Sequence, residues 1–239
     1  MTSTNRRQFI GGLGALSFAA GLPAPALAQA KPKVVVVGGG PGGATVAKYV
    51  AKDGGIDVTL VEPASQFTTC FHSNLYLGGF KNWESITHSY DQLVSKYGIK
   101  HARQTAAAID REKRTVRLAN GDSLSYDRLL VAPGIDIKFD SVPGYSEAAS
   151  EKLPHAWKPG PQTQLLKRQL DALNDGALIV MIAPPNPYRC PPGPYERVSM
   201  MAHVLKAKGH KKSRIIVIDP KPNFSKQALF MEGWQKHYP

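Results

Sequence analysis

Apolar runs and amphipathic stretches alternate along the chain after residue 30. Residues 34–37 are four valines that end in glycines, a run typical of a buried parallel strand. The apolar positions of residues 42–52 recur at helical spacing, and residues 57–61 form a second strand-like run. This strand–helix–strand order predicts a right-handed parallel crossover.

The same alternation returns in the second half of the chain. Residues 162–173 and 194–208 have helical patterns, and residues 177–182 and 214–219 have the apolar pattern of strands. Between the two halves come a helix at 90–97, a hairpin around Asn120-Gly121-Asp122 and an apolar strand at 128–132, and residues 134–160 are predicted to be irregular. The pattern therefore predicts an α/β protein with two successive domains.

The first thirty residues have the composition of a removable signal. Arg6-Arg7 precedes a Gly/Ala-rich apolar stretch at 11–22, and the small-residue patterns Ala26-Leu27-Ala28 and Ala28-Gln29-Ala30 follow. Paired arginines in this position indicate a twin-arginine signal peptide over residues 1–30. The alternative is a membrane anchor. A spanning helix needs about 20 strongly apolar residues, and this stretch is shorter and is diluted by glycine. We therefore predict a periplasmic protein without stable membrane insertion.

Charge and cysteine content limit the possible partners. The formal net charge is +12, but the basic residues are scattered, and no run is longer than a pair such as Lys211-Lys212. An exported chain without a nucleic-acid-binding motif is not expected to bind nucleic acid. The two cysteines are too few for a disulfide-stabilised scaffold, although the oxidising periplasm permits disulfides and reactive thiols alike.

The glycines after the first strand form a dinucleotide-binding motif. Gly38, Gly40 and Gly43 match G-x-G-x-x-G between a strand and a helix, which is the context that the motif requires. Their expected roles are a tight turn, close approach of the pyrophosphate and close helix–strand packing. Glu62 ends the second strand, where an acidic side chain should bind ribose hydroxyls.

Residues 126–134 favour FAD over NAD as the bound dinucleotide. This apolar strand, followed by Ala132-Pro133-Gly134, resembles the second flavin-contacting stretch of flavoproteins with two dinucleotide-binding domains, so Ala132 and Gly134 are predicted flavin contacts. In the second α/β unit, Ala183-Pro184-Pro185 stands where a glycine motif would be needed. Prolines lack the N–H groups that bind phosphates, so this unit is predicted not to bind NAD.

Several motifs within residues 31–239 occur together in one known family. They are Thr-Cys-x-x-Ser-Asn at 69–74, Glu-Ser-Ile-x-His-x-Tyr-Asp at 84–91, Lys-Leu-Pro-His-Ala-Trp-Lys at 152–158 and Arg-Cys-Pro-Pro-Gly-Pro-Tyr-Glu-Arg at 189–197. In these motifs the chain resembles the flavoprotein subunit of flavocytochrome c sulfide dehydrogenase, among the sulfide:quinone-reductase-like flavoproteins. The resemblance implies a glutathione-reductase-like architecture, with an FAD-binding Rossmann-type domain at 31–140 and an incomplete second Rossmann-like domain at 141–239.

The resemblance gives the two cysteines separate roles. It implies that Cys70 binds FAD covalently as a thioether to the flavin 8-methyl group, although some relatives bind FAD without this bond. It also implies that Cys190 is half of a redox-active disulfide whose other cysteine lies beyond residue 239. The chain is therefore expected to be truncated and inactive by itself. Two alternatives remain open: Cys70 as a small buried apolar residue, and a structural disulfide between Cys70 and Cys190.

The surroundings of Cys190 in the sequence favour a reactive thiolate. It lies close to the start of a predicted helix, with Arg189 before it and Arg197 after it. Glu196 is a candidate to accept or deliver the proton of hydrogen sulfide, and the alternative is an exposed first-turn acid that the helix dipole favours.

The resemblance implies oxidation of sulfide to sulfur or polysulfide, with FAD passing electrons to a c-type haem on a cytochrome subunit in a heterodimer. The histidines show no metal-ligand spacing, and no C-x-x-C-H motif occurs, so the haem is expected on the partner chain. Two alternative functions remain: a sulfide:quinone oxidoreductase, and a non-catalytic flavoprotein subunit of a thiosulfate-oxidising system.

Overall fold

The computed structural model describes residues 30–238. The described residues from Lys33 onward belong to one compact unit. The predicted signal peptide lies outside the described residues except for Ala30, so it remains a prediction. In the described part of the chain, no helix is both long and apolar enough to cross a membrane.

Eleven strands and seven α-helices make up the described residues. The strands are β1 (Lys33–Val37), β2 (Asp57–Val61), β3 (Gln66–Thr68), β4 (Thr87–Ser89), β5 (Lys100–Ala102), β6 (Ala106–Asp110), β7 (Thr115–Leu118), β8 (Ser123–Ser125), β9 (Arg128–Val131), β10 (Leu178–Ile182) and β11 (Arg214–Ile218). The helices are α1 (Pro41–Ala51), α2 (Ser73–Leu77), α3 (Asp91–Tyr97), α4 (Glu147–Ser150), α5 (Pro161–Asp171), α6 (Gly193–Ala207) and α7 (Gln227–His237).

A four-stranded parallel sheet in the order β5-β2-β1-β9 is the centre of the first half. Alternate side chains of its strands point to opposite faces. Val36 and Leu60 pack with Ala47 and Ala51 of α1 on one face. On the other face, Val35 and Val61 pack against Val116 and Leu118 of the antiparallel β6-β7-β8 sheet. The carboxyl ends of β1, β2 and β9 therefore meet at one edge, which is where ligands bind in such sheets.

The second half is a smaller α/β unit in which β10 and β11 pair in parallel. Helices α5 and α6 cover one face of this pair, where Leu170 and Met201 pack with Ile179 and Ile215. The opposite face carries exposed aliphatic side chains, namely Leu178, Val180, Ile182, Ile216 and Ile218.

Helix α2 joins the two halves by packing against α6. Gly78, which follows α2, is held close to α6, because a Cβ added there would lie 2.3 Å from Met200 Sδ. Ser73 at the start of α2 contacts Arg197 of α6. The segment that carries Cys70 therefore lies against the helix that follows Cys190.

The strands and helices predicted from the sequence are present, with ends displaced by at most two residues. The helix predicted at 162–173 is Pro161–Asp171, because Pro161 occupies its first turn and Gly160, with φ +121°, breaks the preceding chain. Residues 134–160 are not uniformly irregular, since they contain the 3₁₀ turn Phe139–Ser141 and α4. Elements that were not predicted are β3, α2, β4, β5, β6 and α7.

Candidate functional site

The glycine loop lies where β1 and β9 end, and two of its glycines are required by the protein's own packing. A Cβ on Gly38 would lie 2.1 Å from the carbonyl oxygen of Ala132, and Gly38 has φ +100°. A Cβ on Gly43 would lie 1.8 Å from the carbonyl oxygen of Gly38. Both positions therefore exclude any side chain, as the expected roles in turn geometry and helix packing require.

Gly40 differs because nothing in the protein requires a glycine there. A Cβ on Gly40 would make only an ordinary contact with Phe67, at 3.9 Å. The first hydrogen bond of α1 runs from Ala44 N–H to Gly40 C=O, so the amides of Gly42 and Gly43 precede the helical ladder. A glycine that leaves space in front of free amides fits a close-lying pyrophosphate.

Glu62 is held at the edge of this loop by backbone donors. Its Oε2 accepts a hydrogen bond from Gly39 N–H (2.8 Å), and its Oε1 accepts one from Ala64 N–H (2.9 Å). The carboxylate thus has a fixed orientation beside the motif, and its remaining lone pairs can accept hydroxyl protons. This placement fits the predicted ribose contact.

Two residues that the sequence pattern did not single out support the loop. Tyr90 Oη donates to the Gly39 carbonyl oxygen (2.9 Å), and His101 Nε2 lies 2.9 Å from the Glu62 carbonyl oxygen. Their rings pack edge to face, with centroids 4.8 Å apart. Burial, together with the charge of Glu62, raises the pKa of Tyr90 well above its ordinary value, so its hydroxyl remains a donor.

A cleft of about 600 Å³ begins at Glu62. Aromatic residues line it, among them Phe67, Trp83 and Tyr90, together with Arg103 and Pro161 at the start of α5. A polar loop that opens into a partly aromatic cleft of this volume fits the nucleoside part of a dinucleotide.

The predicted flavin contacts Ala132 and Gly134 follow β9 beside the glycine loop. Ala132 N–H donates to the Val37 carbonyl oxygen (2.8 Å), which joins the ends of β9 and β1. Gly134 has φ +80°, so the chain turns sharply there. The structure therefore brings Ala132 to Gly38, while contact between Gly134 and flavin remains a prediction.

Cys70 and Cys190 are both free and both exposed. The alternative of a structural disulfide between them is therefore not realised. The alternative of Cys70 as a small buried apolar residue is wrong, because the segment after β3 reaches the surface before α2 begins. Cys190 has φ +60°, a left-handed backbone conformation that is unusual for a residue with a side chain.

Arg197 connects the surroundings of the two thiols. Its Nη2 donates to Ser73 Oγ and to the Ala156 carbonyl oxygen, both at 3.2 Å. Ser73 Oγ in turn donates to the Cys70 carbonyl oxygen (2.6 Å). Burial lowers the pKa of Arg197 to about 10, and the negative charges of Cys70, Glu196 and Cys190 oppose this effect.

Glu196 lies in the first turn of α6 and is exposed. An acidic residue there is favoured by the helix dipole whether or not it transfers protons. Its placement is compatible with both expectations, so proton transfer by Glu196 remains a prediction. Among the described residues, no group of three His, Cys, Asp or Glu side chains could hold a metal ion.

The carboxyl ends of β10 and β11 are filled by the protein's own side chains. Lys221 Nζ lies 2.6 Å from Asp219 Oδ1 and donates to the Pro184 carbonyl oxygen (2.8 Å). Tyr195 Oη donates to the other oxygen of Asp219. The acidic residue that ends the second strand is therefore engaged in an internal ion pair, in contrast to Glu62 of the first unit.

Two family models match the chain in succession. Residues 32–171 match the model described as pyridine nucleotide-disulphide oxidoreductase, which is more than half of the chain. Residues 163–239 match the model described as the central part of the sulfide dehydrogenase [flavocytochrome c] flavoprotein chain.

Individual relatives agree with both matches. The sulfide dehydrogenase [flavocytochrome c] flavoprotein chain of Chlorobaculum thiosulfatiphilum is 63% identical over 43 residues, which are 18% of this chain and 90% of that sequence. The sulfide-quinone reductase of Aquifex aeolicus is 29% identical over 183 residues, which are 74% of this chain and 40% of that protein.

The fold agrees with that of a solved structure. The sulfide:quinone oxidoreductase of Aquifex aeolicus superposes with a TM-score of 0.67 at 22% identity, over 86% of this chain and 49% of that one. This chain therefore spans about half the length of such proteins. The predicted fold class, an FAD-binding Rossmann-type domain followed by a second Rossmann-like unit, is confirmed. The chain belongs to the pyridine nucleotide-disulphide oxidoreductases and, within them, to the family of flavocytochrome c sulfide dehydrogenase flavoprotein chains.

Proposed function

We propose that this chain supplies the FAD site and one reactive cysteine of a periplasmic, cytochrome-linked sulfide dehydrogenase. The observation that carries the proposal is the arrangement of two free, exposed cysteines whose segments meet at Arg197. This residue lies on α6, the helix that follows Cys190, and donates to Ser73, which in turn donates to the Cys70 carbonyl oxygen. One cysteine segment follows the dinucleotide cleft, and the other opens α6. Family membership supplies the chemistry that such an arrangement serves.

The chain's own residues would hold the cofactor in the following way. The amides at the start of α1 would bind the FAD pyrophosphate, and Glu62 would bind the ribose. Cys70 would hold the flavin through a thioether to its 8-methyl carbon; forming it breaks the S–H bond and one methyl C–H bond, and the two electrons and two protons pass to the flavin itself. FAD supplies an acceptor that takes up two electrons together and releases them singly to the haem c of a cytochrome subunit. An exposed Cys70 is accessible for this thioether, which a buried thiol would not be.

Cys190 would react with sulfide as half of a disulfide with a second cysteine of the whole protein. Hydrosulfide attacks one sulfur, the S–S bond breaks, a persulfide remains on the attacked cysteine and the other sulfur leaves as a thiolate. The electron pair of the new bond comes from hydrosulfide, and the thiolate retains the pair of the broken bond. Turnover is thus proposed for the whole protein, because this chain spans about half the length of its solved relative.

The covalent bond to Cys70 can be tested by acid precipitation. The wild-type chain is expected to keep its yellow colour in the pellet, and Cys70→Ser is expected to release the flavin into the supernatant. Cys190→Ser is the matched control and should keep the colour in the pellet. Release of flavin from the wild type would show that the bond does not form.

Sulfide oxidation is tested on the whole protein with its flavin bound. Micromolar sulfide should bleach the visible flavin absorbance in the wild type, whereas Cys190→Ser should remain oxidised. A Glu196→Gln variant with a normal rate would assign Glu196 to helix stabilisation only. If sulfide leaves the wild-type flavin oxidised, the chain belongs to a non-catalytic subunit.

The similarity to the Aquifex reductase makes quinone a second candidate acceptor. Sulfide-reduced protein mixed separately with cytochrome c and with a soluble quinone should transfer electrons faster to the cytochrome. A faster reaction with quinone would favour the alternative function.

Export is proposed on the strength of residues 1–30 and requires its own experiment. We expect the protein in the periplasmic fraction, and Arg6→Lys combined with Arg7→Lys should retain it in the cytoplasm. Periplasmic accumulation of the double variant would argue against the twin-arginine route.

A further inference from the structure

Arg197 has one hydrogen-bonding group that the rest of the described chain does not satisfy. Its Nη1 is buried and has no partner, while Nη2 makes the two bonds to Ser73 and Ala156. None of the ion pairs among residues 30–238 includes Arg197. Burying an unpaired donor of a charged group costs free energy, because the donor loses its hydrogen bonds to water. We therefore expect an acceptor to bind this nitrogen.

The position of the guanidinium is fixed. Nη2 is held between α2 and a backbone carbonyl, and Ala156, which provides that carbonyl, has a left-handed backbone (φ +48°). The guanidinium is planar, so fixing one nitrogen restricts the other. The Nη1 donor is therefore preorganised and does not depend on a flexible side chain.

The groups near Arg197 indicate what the acceptor is. Cys70, Glu196 and Cys190 are the acidic groups that lie near enough to favour the charged form of Arg197, and two of them are thiols, which carry no charge while protonated. Glu196 forms no ion pair with Arg197, so an anion in direct contact would stabilise this cation further. Both thiols are exposed, so an anion that arrives from solvent can reach either sulfur.

A bound water is the alternative acceptor. Asn74 Oδ1, on α2, is also buried without a partner, and a water could bridge two such groups. A water would satisfy the hydrogen bond but would leave Arg197 without an ion-pair partner among the described residues. The positive charge of the guanidinium therefore favours an anion over a water.

We propose that Arg197 Nη1 binds the anionic sulfur species that reacts at Cys190, so that Arg197 is the anion-recognition residue of this site. The identity of the anion as hydrosulfide rests on the proposed function. The recognition of an anion beside Cys190 does not, because it follows from the unpaired Nη1 donor and from the lack of an ion-pair partner for Arg197 among the described residues.

Alkylation of Cys190 by a charged and a neutral reagent tests the proposal. In the 239-residue chain carrying Cys70→Ser, Cys190 is the remaining cysteine, and its rates with iodoacetate and iodoacetamide are measured at one pH. Both rates depend equally on the thiolate fraction, so their ratio reports the local preference for an anion. Arg197→Met should lower this ratio about five-fold, and Arg197→Lys should retain part of it.

Arg189→Met is the matched control, because Arg189 is exposed and adjacent to Cys190. It should change the ratio less than two-fold. An unchanged ratio in Arg197→Met would overturn the proposal and leave a water as the acceptor. An equal fall of the ratio in Arg189→Met would also overturn the proposal, because the ratio would then report the general positive potential of nearby basic residues and not binding by Arg197.

A second measurement needs no change at Arg197 and so does not depend on the folding of that variant. In the Cys70→Ser chain, sodium sulfate should slow iodoacetate more than iodoacetamide when compared with sodium chloride of equal ionic strength. Equal slowing of both reagents would contradict anion binding. Neither measurement uses flavin reduction. A failure of sulfide oxidation would therefore leave the evidence for anion binding unaffected, and a failure of anion binding would leave the test of sulfide oxidation unaffected.

Discussion

At the scale of single residues, the three motif glycines have separable roles. Gly43→Ala places a methyl group 1.8 Å from a backbone oxygen, so it should lower the free energy of unfolding by about 2–4 kcal/mol. Gly40→Ala meets only Phe67 and should cost less than about 1 kcal/mol. Denaturant unfolding of both variants measures these costs.

Retention of FAD should follow the opposite logic. In the Cys70→Ser chain, where no thioether can hold the flavin, Gly40→Ala should weaken flavin retention in a folded protein, because its methyl group would crowd the space in front of the α1 amides. A Cys70→Ser chain that retains flavin equally well with and without Gly40→Ala would show that the pyrophosphate does not approach this residue.

The backbone of Cys190 predicts a gain in stability when its side chain is removed. A residue with a Cβ is disfavoured at φ +60°, and glycine is not. Cys190→Gly should therefore be more stable than Cys190→Ser by about 1 kcal/mol, as measured by thermal or denaturant unfolding. Equal stability of the two variants would indicate that the left-handed conformation is not strained.

His155 makes stability dependent on pH. Burial, helped by the charge of Lys158, lowers the pKa of His155, and its Nδ1 accepts a hydrogen bond from Trp157 N–H (3.0 Å). The folded state therefore disfavours the imidazolium, and stability should fall as the pH drops below about 6.5, the ordinary value in the unfolded chain.

His155→Asn retains an acceptor without a titrating ring, so unfolding midpoints measured across this pH range should show a smaller decline. An equally steep decline in this variant would assign the effect to other groups.

At this scale the sequence predicted the chemistry of the motif but not its supports. Gly38, Gly43 and Glu62 could be recognised because their spacing along a strand–helix–strand unit determines where they lie. Tyr90 and His101 could not, since they reach Gly39 and Glu62 only through tertiary packing. Arg197 was noted as a neighbour of Cys190, yet its bonds to Ser73 and Ala156 depend on how α2 meets α6.

At the scale of elements, the second α/β unit retains the fold of a dinucleotide-binding unit, but the protein's own side chains fill the space at the ends of its strands. Lys221 pairs with Asp219 and with the Pro184 carbonyl where a cofactor would need free groups. NADH should therefore show no binding in calorimetric titration and should not reduce the flavin. Saturable binding of NADH would mean that this ion pair opens.

Substitution of Lys221 tests how much the ion pair with Asp219 contributes to the stability of the protein. Lys221→Met leaves a largely buried Asp219 carboxylate without its cation, with the Tyr195 hydroxyl and the backbone N–H of residue 221 as its remaining donors, and this should destabilise the protein by about 3–5 kcal/mol. Lys81→Met, at a partly buried lysine that belongs to none of the ion pairs among the described residues, is the control and should change unfolding little. Similar midpoints for both variants would contradict a structural role for the pair.

The elements missed by sequence analysis are the short ones. Helix α2 has five residues and β3 and β4 have three each, too few for a periodic pattern to be recognised. Helix α7 was missed although it has eleven residues, because its apolar positions are interrupted by Gly233 and charged residues. Its packing comes instead from aromatic contacts of Phe230 and Trp234 with Phe224.

At the scale of the whole molecule, the order of the two α/β units was predictable and their contact was not. Alternating apolar runs determine a succession of parallel units, because each strand must return to the same sheet. The meeting of α2 with α6 involves residues more than 100 positions apart, such as Ser73 and Arg197. No local pattern encodes such a pairing, and yet it joins the two cysteine segments.

The aliphatic face of β10 and β11 has a practical consequence for anyone who produces this polypeptide. This face is an exposed hydrophobic patch on a two-stranded sheet, formed by Leu178, Val180, Ile182, Ile216 and Ile218. Such patches promote self-association in water. Light scattering of the purified chain should therefore rise steeply with concentration, and Ile182→Lys with Ile218→Lys should suppress that rise. Yield and storage would then be governed by this patch, while the two cysteines of the proposed function lie elsewhere.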